Sequence, residues 1–157
     1  MGVKPDHDVE ALYRDQAEKL WRALYAYAGD REVASDAVAE AFAQCLHRGN
    51  AVRTPAKWLW RSAFKIAGAE MKAQRGRVDF PEDGYASSTP YELLTGLLDA
   101  LSQLPRKQRA ALVLHYYCGY TAKESAEILG STAATVRVHL SQGRRRLRDV
   151  LERMDDG

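Results

Sequence analysis

Residues 121–147 read TAKESAEILGSTAATVRVHLSQGRRRL, two short helical segments on either side of a Gly-Ser turn. Thr121 is placed to cap a helix from Ala122 to Leu129, Gly130 to end it in a left-handed conformation, and Thr132 to cap the next. In the second segment Val136, Leu140, Gly143 and Leu147 recur at steps of four, three and four, which puts them on one inward face. Ala134, Arg137, Val138, Ser141, Arg145 and Arg148 fall on the opposite face. That division suits a helix-turn-helix, in which small residues let the backbone approach base edges while Arg makes bidentate contacts to guanine or phosphate.

Charge separates this reading from a solvated helical hairpin. Arg137, Arg144, Arg145, Arg146 and Arg148 have no Asp or Glu among them, in a chain whose formal net charge is only +2. A local excess of that kind favours a polyanion, through release of its condensed counterions.

The 157 residues allow one ordinary domain or two small ones, and a hydrophobic fraction of 46% suffices for packed cores. No apolar run approaches the roughly 20 residues that span a bilayer. The opening MGVKPDHDVE is acidic where a signal peptide would be apolar, so a cytoplasmic protein is expected. Cys45 and Cys118 lack a nearby CxxC or His pair and read as buried packing thiols, without a metal or cofactor. His139 either points at DNA or flanks the recognition helix, and His7, His47 and His115 have no evident partner.

Helical periodicity runs through almost every segment, and there is no convincing alternation of β-branched residues. The exception is GRVDFPEDGYASSTP, residues 76–90, a mixture of Gly, Pro, Ser and acids that reads as an acidic linker. It separates a block at 8–75 from one at 91–152. The fold class is therefore all-α, two small helical domains joined by a flexible linker.

In the first block Leu12, Gln16, Leu20 and Leu24 mark an amphipathic helix ending near Gly29. Asp30 then caps a helix to about His47, with Ala34, Val38, Ala41, Phe42 and Cys45 as its apolar stripe and Asp36 and Glu40 outside. Those carboxylates are either a solvated edge or a dock for a basic partner. Thr54 and Pro55 start a third helix. Its apolar arc includes Leu59, Trp60, Ala63 and Phe64, and Glu70 falls on the same arc. Opposite lies a stripe of Arg61, Lys65, Lys72 and Arg75, uninterrupted at Gly68, with Trp58 at its edge. Cations interleaved with an aromatic suit single-stranded nucleic acid, and solvated surface is the competing account. The second block opens with a core-facing helix through Leu93, Leu94, Leu97, Leu98, Leu101 and Leu104, stopped by Pro105. A further helix through Arg109, Leu112, Val113 and Tyr116 leads to Gly119.

Three segments carry a resemblance to the sigma-70 family of bacterial transcription initiation factors, in its extracytoplasmic-function group. GDREVASDAVAEAF (29–42) resembles the part of sigma domain 2 that docks on the clamp helices of the largest RNA polymerase subunit. PAKWLWRSAFKIAGAEMK (55–72) is similar to the part that melts and reads the minus-ten promoter element. LPRKQRAALVLHYYCGYTAKESAEILGSTAATVRVHLSQGRRRLR (104–148) resembles sigma domain 4, which reads the minus-thirty-five element.

The resemblance implies a factor that binds core polymerase, reads both elements and promotes melting. It assigns polymerase binding to Asp36, Glu40 and Phe42, and minus-ten contacts to Trp58, Arg61, Lys65, Lys72 and Arg75. Minus-thirty-five contacts fall to Thr132, Ala133, Ala134, Thr135, Arg137, Val138, Ser141, Gln142, Arg144, Arg145 and Arg148. The implied partners are core polymerase, through the clamp helices and the flap of the second-largest subunit, promoter DNA, and an anti-sigma protein, and the resemblance also implies association with the nucleoid. The linker would thread the polymerase cleft. Ser125 stands where the family often has Ile, so either the module is less stable there or the hydroxyl bonds locally to a backbone carbonyl. Lys65, Ala69 and Glu70 replace a common Asn, Asp and Arg.

The main alternative is a helix-turn-helix regulator that binds a palindromic site as a homodimer without polymerase. An enzyme is not expected: no carboxylate pair, activated nucleophile, metal set or phosphate loop is legible.

Overall fold

The computed structural model describes residues 5–49, 54–74 and 89–156. Its elements are α1 (Pro5–Ala28), α2 (Arg31–Arg48), α3 (Pro55–Ala73), α4 (Thr89–Ser102), α5 (Arg106–Leu112), which runs on as a π-helical turn over Val113–Tyr117, α6 (Ala122–Leu129) and α7 (Ala133–Asp156). No strand occurs among the described residues. The expected linker at 76–90 falls mostly outside them, and its last two residues, Thr89 and Pro90, belong instead to the first turn of α4. Pro is tolerated there because the N–H it lacks would have no partner in a first turn.

Local chemistry explains most helix ends. The Asp30 carboxylate accepts from the backbone N–H groups of Glu32 and Val33 at 2.8 and 3.2 Å, which fixes the start of α2. Thr121 and Glu124 form a reciprocal capping box at α6, and Gly130 ends that helix at φ 67°. Thr132 accepts from the backbone N–H of Thr135 at 3.1 Å at the head of α7. Thr54 departs from expectation, since its side chain makes no capping bond and Pro55 alone marks the start of α3.

α1, α2 and α3 pack into one bundle around Leu20, Leu24, Ala34, Leu59, Trp60 and Phe64, all buried. α5, α6 and α7 form the second around Leu114, Ile128, Val136 and Leu140, with α4 laid against α7. Both free cysteines are buried. Glu70, expected on the apolar arc, is exposed and accepts from Gln74 at 2.8 Å. Ser125 is fully buried and its hydroxyl has no hydrogen-bond partner, so of the two alternatives the local carbonyl bond is absent.

The two bundles share a continuous core. Trp60 of α3 meets Tyr120 edge to face at 5.3 Å while its indole N–H donates to Gln16 at 2.8 Å. Arg106 donates to the Gly68 carbonyl at 3.1 Å, Lys19 to the Cys118 carbonyl at 3.3 Å, and Lys57 pairs with Glu127 at 2.5 Å. That last pair raises the pKa of Lys57 and lowers that of Glu127, through their hydrogen bond first and their charges second.

Candidate nucleic-acid interface

The recognition face is built by α7, whose inward residues Val136, Leu140 and Gly143 are buried against α5 and α6. Gly143 keeps this contact close, since a Cβ there would lie 3.2 Å from the Leu112 side chain and push it back by a few tenths of an ångström. With that side fixed, Ala134, Thr135, Arg137, Val138, Ser141, Gln142, Arg145 and Arg148 are all exposed, and Ala133 is half-buried. An exposed Val138 amid polar neighbours gives an apolar contact of the kind a thymine methyl accepts. Gln142 accepts from Gln108 at 3.3 Å, and Arg144 donates to the Tyr116 hydroxyl at 2.9 Å. Arg144 thus reaches sideways toward the π-helical turn, away from Ala134 and Arg137.

On α3, Arg61, Lys65 and Lys72 are exposed along one side, as the stripe requires. Arg75 lies outside the described residues. Trp60 is fully buried, whereas Trp58 is half-buried with the Arg48 guanidinium 5.4 Å from its ring centre. On α2, Asp36 and Glu40 are exposed one turn apart. Phe42 is buried, its ring 5.0 Å from that of Tyr13, so the carboxylates and not this ring face outward.

The structure brings α3 and α7 to one cleft. Arg61, Lys65 and Gly68 line one wall of a cavity of about 430 Å³, Thr135 and His139 another, and Arg106 and Lys107 of α5 a third. Arg106 and Lys107 were not singled out in the sequence, although the run PRKQR carries the signal. Elsewhere an apolar groove of about 1100 Å³ crosses both bundles, lined by Trp21, Tyr25, Leu97, Tyr116, Tyr117 and Leu151 among others, with charged residues of both signs, Arg31, Arg144 and Arg148 as well as Glu152 and Asp155. Four of these, Leu97, Tyr116, Tyr117 and Leu151, are large hydrophobic residues left exposed. Among the described residues, no helix is long and apolar enough to cross a membrane, and no group of three or more His, Cys, Asp or Glu could hold a metal ion.

Residues 94–147 match the family model for Sigma-70, region 4. The chain is 30% identical over 163 residues to the ECF RNA polymerase sigma factor SigL of Mycobacterium tuberculosis, covering 93% of this chain and 90% of that one. It is 29% identical over 160 residues to the ECF sigma factor SigE of Mycolicibacterium smegmatis, covering 90% of this chain and 61% of the relative. Among solved structures, the fold is similar to the sigma factor RpoE of Bartonella quintana in complex with the anti-sigma factor NepR, with a TM-score of 0.74, 21% identity, and 92% and 97% of the two chains covered. It is also similar to CnrH in complex with the cytosolic domain of CnrY, with a TM-score of 0.72, 17% identity, and 94% and 89% covered. A helix-turn-helix with an outward basic face, set on an all-α scaffold that matches SigL along nearly its whole length, leaves one assignment. The chain belongs to the extracytoplasmic-function group of the sigma-70 family, and is an RNA polymerase sigma factor that acts in transcription initiation.

Proposed function

We propose that the first block, residues 8–75, is sigma domain 2 and the second, residues 91–152, is sigma domain 4, each reading one promoter element. The observation that carries this is the outward basic face of α7, held by a buried opposite face, together with a second exposed stripe on α3. Arg137, Val138, Ser141, Gln142 and Arg145 take the minus-thirty-five duplex in the major groove. Arg61, Lys65 and Lys72 track the minus-ten strand, with Trp58 beside it as a stacking surface. Binding energy drives melting, as extruded bases are captured by domain 2. The bond-making chemistry stays with the polymerase, in the cytoplasm on the nucleoid.

Asp36 and Glu40 dock on basic side chains of the polymerase clamp helices, and domain 4 engages the flap. Elements named minus-ten and minus-thirty-five are about 25 base pairs apart, or ~85 Å at ~3.4 Å per step. Arg61 and Lys65 share one cavity with Thr135 and His139, so reading both elements requires the bundles to separate. The groove containing Tyr116 and Tyr117 spans both bundles, and an anti-sigma helix with an apolar face seated there would hold them together.

Run-off transcription with purified core polymerase and promoter DNA tests this. The intact chain should support transcription and Asp36→Arg should abolish most of it. Activity unaffected by the reversal would remove that docking face, and no activity with the intact chain would remove the whole reading.

A further inference from the structure

The cleft between the bundles has a feature that the reading of promoter elements does not use. Four cations converge on its first cavity, Arg61 and Lys65 from α3 and Arg106 and Lys107 from α5, and no lining residue is acidic. None of the four has an ion-pair partner among the described residues. Arg106 engages one donor, on the Gly68 carbonyl, and a guanidinium carries five. An adjoining cavity of about 510 Å³ shares Arg106, Lys107 and His139 and adds Lys72. Its one acid, Asp30, is engaged in capping α2.

Two further details point to a ligand. His139 lines both cavities and sets an imidazole, which can donate an N–H, beside the cations. The first cavity also borders the start of the 24-residue α7 at Ser131 and Thr135, where the helix dipole favours negative charge. Like charges carried by different bundles repel when the bundles close, and a multivalent anion between them reverses that repulsion.

We propose that this cleft is a binding site for a compact polyphosphate of the di- or triphosphate class, held by Arg61, Lys65, Arg106, Lys107 and His139, which bridges the bundles and stabilises the closed arrangement. A cavity of about 430 Å³ admits such a group and is far too narrow for duplex DNA. Arg61 and Lys65 then serve two ligands in turn, polyphosphate in the closed chain and promoter strand in the open one, so the two compete. That consequence rests on the proposed function; the binding itself does not.

Calorimetric titration of the full chain alone with inorganic tripolyphosphate, at about 0.15 M salt where diffuse attraction is screened, tests the site. One saturable site is expected. Lys107→Glu should weaken it by about tenfold or more, as loss of a charge-assisted contact plus repulsion requires. His139→Phe, which keeps ring bulk and removes both nitrogens, should weaken it several-fold. Arg145→Glu, on the same chain but outside both cavities, should change it less than about twofold. A nucleoside triphosphate binding as well as tripolyphosphate or better supports the same site, since its phosphates are what the cations read. Absence of saturable binding overturns the proposal, as does equal weakening by Lys107→Glu and Arg145→Glu, which would mean diffuse attraction. A single-stranded oligonucleotide that binds far more tightly and shows the same Lys107→Glu loss also overturns it, giving the cleft to nucleic acid. With no polymerase or promoter present, the result is independent of run-off transcription.

Discussion

The guanidinium of Arg109 in α5 donates to the main-chain carbonyl of Tyr27, 82 residues earlier, at 2.5 Å. It also donates to the carbonyls of Leu101 and Leu104 at 3.0 Å each. Tyr27 lies in the last turn of α1, and Leu101 and Leu104 at and just beyond the end of α4. Carbonyls at helix C-termini lack intrahelical partners, and a cation is favoured there by the dipole. One planar side chain therefore closes two helices and ties the bundles together. Burial lowers its pKa, partly offset by Tyr27 and reinforced by Arg106.

Arg109→Lys should consequently destabilise the chain, because a point-charge ammonium cannot reproduce three donors in a fixed fork. A loss of about 2 to 4 kcal/mol is expected from urea unfolding, given charged hydrogen bonds to buried carbonyls. A loss under about 0.5 kcal/mol would show that the carbonyls find other partners.

Ser125 should respond in the opposite direction. Its fully buried hydroxyl has no partner, so Ser125→Ala removes a desolvated polar group at the cost of a very small void. Unfolding should show unchanged or higher stability, by up to about 1 kcal/mol. Thr121→Ala, which breaks the capping box of the same helix, should instead cost about 1 kcal/mol. If Ser125→Ala proved the more damaging of the two, the hydroxyl would have to be bonded in solution.

Alkaline pH should weaken the junction between bundles. Burial pushes the Cys118 thiol up to about 11, against a small opposing effect of Lys19, and pushes Tyr120 up to about 12, with Cys118 and Glu124 adding. Both folded values exceed the unfolded ones, about 8.5 and about 10. Stability is thus fully present below about pH 8.5 and lost as pH rises toward 11 and 12. Cys118 alone accounts for about 1 to 3 kcal/mol. Urea midpoints at pH 7, 9 and 10.5 should fall progressively, less steeply in Cys118→Ala; an identical slope in both proteins would assign the loss elsewhere.

Duplex binding should depend on α7 in two separable ways. Arg137→Ala should weaken a specific minus-thirty-five duplex by about 1 to 3 kcal/mol and relax discrimination at one base pair. If Arg148 contacts phosphate, Arg148→Ala should weaken all duplexes alike and lower the slope of log K against log salt by about 1. Filter binding at several salt concentrations measures both, and an Arg137→Ala loss that is uniform across sequences would move that side chain to the backbone class.

The helices, their order and much of their capping are local, and for that reason they are legible in the sequence. Asp30, Thr121, Glu124, Gly130 and Thr132 act within four residues of the groups they satisfy, and the inward face of α7 follows from a 3.6-residue period. The outward face of α7 and the stripe on α3 follow by the same arithmetic. Periodicity placed Phe42 in the buried stripe of α2, but it did not place Glu70, which it put on the apolar arc of α3 and which is exposed. Nor did it place Arg109 on three carbonyls, Trp60 on Tyr120, or Arg106 and Lys107 opposite Arg61 and Lys65. These depend on how one bundle sits on the other. Apart from the bonds of Arg109 to Leu101 and Leu104, these pairs are separated by tens of residues, and none leaves a periodic trace in the chain. What each helix is was written locally; which basic faces share a cleft was decided by packing.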